Sequence, residues 1–467
     1  MNDGHGGRTA SPMVLHDHMR TTLKEVAREA PPMLKQVGQV AWMMAFRDHL
    51  ADAQRISEQT SVVSGIRERT AVSGGAALLF ENLPGSPGHR AAVNVCIRDN
   101  LARAWNIDPS ELIDLMGWAM ENPSDDFVIL EETAAPVMEC TMDPVDLTRL
   151  PIPWHYPEDR GRYMSASIVI AEHAGVRNVS YHRQFIRDTD HVVARLVPRH
   201  LTEMVESARA DDETVSIGVV NGADPTVLLA GAMSFSEPLD ELTVANSLHK
   251  HVHGRPLELV SLENSIMIPA GAEYGMAATI LLEDDEEGPY VDITGTVDDM
   301  RQQPVFSIDS LHHRNEPIFH AIVPAAAEHL ALMGLPRAPT IKAAVSQVCE
   351  CHDVVLGAGG CGWLSAVVSI TPRTVDDPRA AIMAAFGGHP SMKSVTIVDT
   401  DIDISDPQRV EWALMTRWQP DRDTVILTDQ RGSSLDPTRS EDGVTSKIGY
   451  DATIPLGADR RPFTSVL

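Results

Sequence analysis

The 467 residues carry 38 Lys and Arg against 66 Asp and Glu, a formal net charge of -28 at pH 7, so most of the surface repels nucleic-acid phosphates and anionic lipid. Hydrophobic residues at 43% and charged residues at 22% describe an ordinary globular chain, long enough for two or three domains and a cleft between them. An anionic ligand is then confined to a pocket where local cations or backbone N–H groups override the background field.

The first dozen residues contain no apolar core of a signal peptide, and no apolar run reaches the roughly 18 residues of a membrane span, which predicts a cytoplasmic protein. Residues 14–30 and 40–55 space their apolar side chains as helices do, on either side of Pro31 and Pro32. A short apolar strand is expected over 76–80, and Pro109-Ser110 opens a helix whose stripe includes Leu112, Leu115 and Met116. Together these make an N-terminal α/β domain over residues 1–125. From 126 to 315 the texture changes to short β-rich runs (165–171, 215–220, 257–262, 265–268, 275–282) between Gly, Pro and Asp turns, the pattern of an antiparallel sheet or barrel. A long apolar helix over 317–335 is expected to link this unit, across 316–336, to a C-terminal α/β domain over 337–467. In that last domain strands at 340–348, 364–370, 394–398 and 424–427 alternate with helices at 377–386 and 407–418. The fold class is thus α/β in a multidomain arrangement. The five cysteines (Cys96, Cys140, Cys349, Cys351 and Cys361) are odd in number and thinly spread, which predicts reduced thiols.

Two strings carry chemistry-bearing residues at close spacing. Glu286-Glu287-Gly288-Pro289-Tyr290-Val291-Asp292 joins an acidic pair to a Gly-Pro turn and a further carboxylate. In a desolvated cleft such neighbours keep one acid protonated near neutral pH, whereas on a surface they are a solvated loop. Asn178-Val179-Ser180-Tyr181-His182-Arg183, followed by Val197-Pro198-Arg199-His200 and the distant Glu241, offers a mixed oxygen and nitrogen set for Mn2+ or Mg2+, with Ser180 and backbone N–H groups to meet a phosphate. The same residues also serve turns and surface hydrogen bonds. Three further strings compete. His249, His251 and His253 alternate, so on a strand they would share a face and could bind Zn2+. Cys349-Glu350-Cys351-His352 lacks a second ligand pair. Residues 357–362 imitate a dinucleotide loop, but a strand-like segment follows where a helix is needed.

Taken in order, the motifs resemble the UbiD family of prenylated-FMN decarboxylases along nearly the whole chain. Asn178 and Arg183 keep the five-residue interval of the ferulic acid decarboxylases, and Pro198-Arg199-His200 matches their Pro-x-His. Ala230, Met233 and Glu241 match the Ala-x-x-Met loop and the Glu eight positions beyond it, Leu257 to Val260 match a strand, and Glu287 to Asp292 match the Glu-Gly-Pro-aromatic-x-acid turn. Residues 398–403 and 446–452 look like two more family segments. The resemblance implies a central split β-barrel domain that binds prenylated FMN, with Asn178, His200 and Glu241 holding Mn2+ or Mg2+ on its phosphate. Carbonyls near Ala230 and Met233 would hold K+, while Ser180, Tyr181, His182, Arg183 and Arg199 would line the cofactor. Arg183 and Glu287 would pair beside the reactive ring and Asp292 would take the acid/base position. Asp292 departs from the family's Glu by one methylene, and His389 stands where those enzymes have a phosphate-contacting Lys.

The implied activity is reversible non-oxidative decarboxylation through a covalent substrate–cofactor adduct. The substrate would be a small aromatic or heteroaromatic carboxylate (pyrrole, furan or indole type first), and α,β-unsaturated acids of the cinnamate type come second. A flavin prenyltransferase would supply the cofactor, and the chain would form a homodimer or higher homo-oligomer without nucleic acid or membrane. The alternatives are a non-catalytic flavin-binding or maturation protein and a zinc hydrolase built on His249, His251 and His253.

Overall fold

The computed structural model describes residues 44–233, 235 and 239–466. The helix expected over 14–30 lies outside them. Of the one expected over 40–55, the described part is a single 3-10 turn, Phe46–Leu50, followed by the strand Gln54–Ile56. The Asp48 carboxylate accepts from the Ala45 N–H at 2.8 Å, capping the start of the turn. Gln54–Ile56, Leu78–Phe80, Arg90–Val93 and Ile318–His320 form a four-stranded sheet in that order.

The last of those strands corrects the expected linker helix. Ile318–His320 is buried at every residue and runs parallel to Arg90–Val93; only after Pro324 does a helix begin, Ala327–Gly334. A short apolar run reads the same as buried strand or buried helix, and here pairing decided. The opposite error occurred at 340–348, which is the helix Ala338–Ser346. Its buried Ala338, Ile341 and Val345 recur at helical spacing, and Pro339 sits in the first turn, where its missing N–H costs nothing.

The central sheet has nine strands, and every neighbouring pair is antiparallel. Its order is Tyr163–Met164, Gln184–Ile186, His191–Ala194, Arg301–His313, Tyr274–Glu287, Val215–Asn221, Ile168–His173, Val176–Tyr181, with Cys140–Thr141 added beside Arg301–His313. One face packs Val169, Ala171, Ile217, Val219, Met276, Ala278 and Phe306 into an extended hydrophobic core. Tyr274–Glu287 and Arg301–His313 slip register between Ile280 and Asp284, and such irregularities bend a strand and re-aim its end. The end re-aimed here is Glu287, opposite Arg301.

Against this sheet lie the helices His200–Ala210, Pro225–Ala232 and Glu241–His253. The histidines at 249, 251 and 253 are therefore helical and do not form the three-His strand face considered above. The C-terminal sheet runs Glu350–Val355, Ser365–Thr371, Ser394–Asp399, Val444–Ala452, Thr424–Arg431, parallel in the middle and antiparallel at both edges. Its helices Asp377–Gly388 and Pro407–Arg417 fall where the sequence pattern puts them. Residues 357–362 hold a 3-10 turn leading into a strand, so no dinucleotide loop is formed.

Candidate active site

Arg183 sits just beyond the strand Val176–Tyr181 and receives the acidic turn. Gly288 holds φ +92°, and a Cβ there would stand 2.9 Å from the Asp299 carbonyl, so the turn needs glycine. Folding back at this point brings three carboxylates onto one guanidinium. Glu287 accepts from Nε at 2.8 Å and Nη2 at 2.9 Å, Asp292 from Nη1 at 2.7 Å, and Asp298 from Nη2 at 2.8 Å. Asp298 is shared with Arg301, at 2.6 and 2.8 Å. The Tyr290 ring lies 4.7 Å beneath the guanidinium, and the Tyr163 ring is 4.5 Å from that of Tyr290.

Burial opposes the charge of Arg183, but its bonds to Glu287 and the charges of Asp292 and Asp298 outweigh this and raise its pKa. Asp298 shows the reverse balance: burial favours its neutral form, yet Arg301 and Arg183 pull it down to about 2. Glu287 is fully buried, whereas the Asp292 side chain keeps 23% of its surface exposed. Among the described residues four of Arg183's five N–H groups are engaged, leaving one on Nη1 beside Asp292. His329, one turn into Ala327–Gly334, senses the same pair. Burial lowers its pKa, while Asp292 raises it and Arg183 lowers it. Its Nδ1 accepts from the Ala325 N–H at 3.2 Å, so a neutral ring carries its proton on Nε2.

A second group forms where Glu241 opens its helix. Its carboxylate accepts from the Asn178 amide at 3.1 Å and the Val179 N–H at 2.8 Å. No basic side chain pairs with it among the described residues, and burial pushes it up to about 8. Ser180 Oγ lies 2.8 Å from Asn178 Oδ1 and 2.9 Å from His182 Nε2. Burial drops His182 to about 4, so the ring is neutral, and its Nδ1–H is committed to the Arg195 carbonyl at 3.0 Å. Nε2 and Asn178 Oδ1 are then alternative acceptors for the single Ser180 proton, and the amide oxygen keeps at least one further lone pair to offer a cation. His200 begins the helix His200–Ala210, and among the described residues it shares no hydrogen bond with Asn178 or Glu241. The Tyr181 hydroxyl is buried without a partner there.

Ala230 and Met233 close the helix Pro225–Ala232, with the Met233 N–H donating to the Ala230 carbonyl at 3.0 Å; carbonyls at a helix C-terminus carry the negative end of the dipole. Arg199 faces a basic group instead. Burial, together with the charges of Arg337, Lys447 and Arg199, pushes His389 down to about 3, and burial with Arg199 brings Arg337 to about 9. Burial also lowers Lys447 and Arg199, and no carboxylate offsets either shift. A concentration of buried basic side chains has the charge that a phosphate needs. An oxygen-rich corner at Asn178 and Glu241 and this basic wall together fit a phosphorylated cofactor and its metal.

The sequence pattern missed Asp298, His329, Arg337 and Lys447, and it set His389 aside. Lys447 lies in a segment already singled out, but nothing local marks its side chain as inward. Asp298 is paired across from Tyr290, a relation that exists only once the turn has folded.

Two family models match the chain: the 3-octaprenyl-4-hydroxybenzoate carboxy-lyase Rift-related domain over residues 128–327 and the corresponding C-terminal domain over residues 330–452. The anhydromevalonate phosphate decarboxylase of Methanosarcina mazei is 38% identical over 417 residues, covering 88% of this chain and 96% of the relative. The enzyme of that name from Methanothermobacter thermautotrophicus is 40% identical over 77% of this chain and 84% of its own length. Among solved structures, the UbiD-class enzyme HmfF from Pelotomaculum thermopropionicum with FMN superposes with a TM-score of 0.86 at 33% identity, covering 91% of this chain and 97% of that one. The apo 3,4-dihydroxybenzoic acid decarboxylase of Klebsiella pneumoniae shares the fold, with a TM-score of 0.82 at 24% identity and coverage of 91% and 98%.

Proposed function

Because the chain belongs to the UbiD family of carboxy-lyases, we propose that it decarboxylates an unsaturated acid of the anhydromevalonate phosphate type, with prenylated FMN as its resident cofactor. The observation that carries this reading is the match of 38% identity across 96% of a relative bearing that name, with the Arg183 carboxylate cluster intact. The aromatic and heteroaromatic acids suggested by the motifs alone become the competing panel.

The basic wall of Arg199, Arg337 and Lys447 would hold the cofactor phosphate, and Asn178 Oδ1, Glu241 and His200 its divalent ion, Mn2+ or Mg2+. Carbonyls at Ala230 and Met233 would hold K+, and the strand through Ser180, Tyr181 and His182 would line the flavin. Bound there, prenylated FMN supplies the electron sink that the carbon losing CO2 lacks by itself. The protein's own task is to position the acid and deliver a proton. The free N–H on Arg183 Nη1 orients the substrate carboxylate. Bringing a fourth carboxylate to this guanidinium favours keeping a proton on one of them, and Asp292 is placed to hold it and pass it to carbon after CO2 leaves. Glu287 and Asp298 fix the guanidinium, and His329 Nε2–H offers a second donor within electrostatic reach of Asp292. Tyr290 walls the guanidinium from water on one side.

A flavin prenyltransferase would supply the cofactor, and a homo-oligomer is the expected assembly; a 50.9 kDa particle by light scattering at micromolar concentration would exclude the latter. The function is tested by co-expression with such a prenyltransferase, followed by CO2 release from anhydromevalonate phosphate and from pyrrole-, furan-, indole- and cinnamate-type acids. Turnover of the first and not the others is expected. Turnover confined to an aromatic acid would replace the proposed substrate, and a correctly loaded protein inactive on all of them would remove the reading.

A further inference from the structure

The helix Glu241–His253 carries His249 and His253 one turn apart on one face, while His251 turns away, its ring 5.3 Å from that of Trp118. The face bearing His249 and His253 meets two other segments: the Phe46–Leu50 turn through His49, and the N-cap of Pro225–Ala232 through Asp224. One ligand atom from each of His49, Asp224 and His253 lies within 4.8 Å of the other two. The three side chains are 4% exposed or less. Asp224 uses Oδ1 to cap its helix, accepting from the Thr226 N–H at 2.9 Å and hydroxyl at 2.6 Å. Among the described residues its Oδ2 and His253 Nε2 are both buried and neither makes a hydrogen bond of good geometry; they face each other at 3.3 Å. No Lys or Arg pairs with this carboxylate among the described residues; imidazoles are its only basic neighbours.

From this geometry we propose that His49, Asp224 and His253 form a structural site for a divalent first-row metal, Zn2+ by preference, separate from the cofactor's ion. Around a tetrahedral ion with bonds of about 2.0–2.1 Å, ligand atoms stand roughly 3.3 Å apart. Asp224 Oδ2 is 3.3 Å from His253 Nε2 and 3.9 Å from His49 Nδ1, and the ligand atoms of the two rings stand within 4.8 Å of each other, so closure around an ion draws the His49 ring inward. His249 supplies support or a fourth ligand: its Nδ1–H is held by the Arg255 carbonyl at 2.9 Å, and its ring centroid lies 4.6 Å from that of His253. A backbone carbonyl orienting an imidazole in this way is the usual outer partner of a metal-binding histidine. Glu241 lies at the other end of the helix, roughly 18 Å away along the axis, so the two ions are distinct.

Two contacts must change on binding: His49 Nδ1–H gives up its hydrogen bond to the Ala45 carbonyl at 3.1 Å, and the bond that Nε2 accepts from Trp105 is lost as well. The Trp105 indole donates to His49 Nε2 at 3.0 Å, which fixes the imidazole proton on Nδ1 in the metal-free state. A metal on Nδ1 moves that proton to Nε2, where it confronts the indole N–H, and Trp105 has to move. Its emission therefore reports occupancy of this site.

The test uses the full chain stripped of metal and titrated with Zn2+ against a chromophoric chelator. Glu241→Gln removes the cofactor ion's carboxylate; Asp224→Asn removes charge while keeping a good helix N-cap. The expected result is one equivalent of Zn2+ that survives Glu241→Gln but binds at least 100-fold more weakly in Asp224→Asn and His253→Gln. Zn2+ should also raise the melting temperature of the wild-type chain and change its emission, the emission change being absent in Trp105→Phe. Wild-type affinity in folded Asp224→Asn and His253→Gln would overturn the site, as would a wild-type chain whose melting temperature and emission ignore Zn2+.

Discussion

Replacing Asp292 and Glu287 one at a time separates chemistry from scaffolding within a single ion cluster. Asp292→Asn is isosteric, and its remaining oxygen can still accept from Arg183 Nη1, now 2.7 Å from the carboxylate. The exchange turns one charge-assisted bond at a partly exposed position into an ordinary one, a loss of about 1 kcal/mol. If Asp292 is the acid, turnover and solvent-deuterium incorporation into product should fall by about 10²–10⁴, or roughly 3–5 kcal/mol of barrier. Glu287→Gln removes the countercharge and turns one of the two oxygens that accept from Arg183 Nε and Nη2 into an NH2 facing the guanidinium at a fully buried site, and breaking a buried pair from one side costs about 3–5 kcal/mol. It should thus lower stability well beyond Asp292→Asn and reduce flavin retention as well. The assays are CO2 release by the reconstituted enzyme, mass spectrometry of product made in D2O, and thermal melts of both variants. An Asp292→Asn enzyme that exchanges deuterium at the wild-type rate would refute the assignment and pass the role to His329 or a water. Equal melting temperatures for the two variants would refute the division between them.

The basic wall predicts a phosphate-specific defect: Arg199→Ala or Lys447→Ala should weaken FMN binding about tenfold or more, the value of a charge-assisted bond, and leave riboflavin affinity unchanged in a fluorescence titration. His200→Ala should lower flavin and divalent-metal occupancy together without unfolding the chain, as measured by absorbance and elemental analysis of the same sample. Asp298 sits at about 2 in the folded chain against an ordinary 3.8, so it adds stability that is present above pH 4 and lost as pH falls through 2; Asp298→Asn should flatten acid melting curves across that window by about 2 kcal/mol or less. Gly288→Ala meets a Cβ contact of 2.9 Å at φ +92° and should cost about 1–3 kcal/mol, read as a lower melting temperature.

What the sequence made legible, and what it hid, divides along physical lines. Spacing along one strand or one turn survives into the fold, so Asn178, Ser180 and His182 converge, as do Glu287 and Asp292 on Arg183. Apart from 340–348, which is helix, the C-terminal strands and helices expected from spacing were readable for the same reason. Pairings across the chain left no local mark. Ile318–His320 became a strand because Arg90–Val93 was there to receive it, and Asp298 reached Arg183 through the partner strand of Tyr290–Val291. His249, His251 and His253 illustrate the cost of a wrong period. Read at a period of two, they make one face and a hydrolase; at the helical period, His251 leaves the group and the remaining pair acquires Asp224 and His49 from distant segments. The period of a pattern, more than its composition, therefore decides which chemistry a cluster can perform. Within one helix the same rule sets Glu241 beside Asn178 at one end and His253 beside Asp224 at the other, so a single segment ends in two separate buried polar clusters.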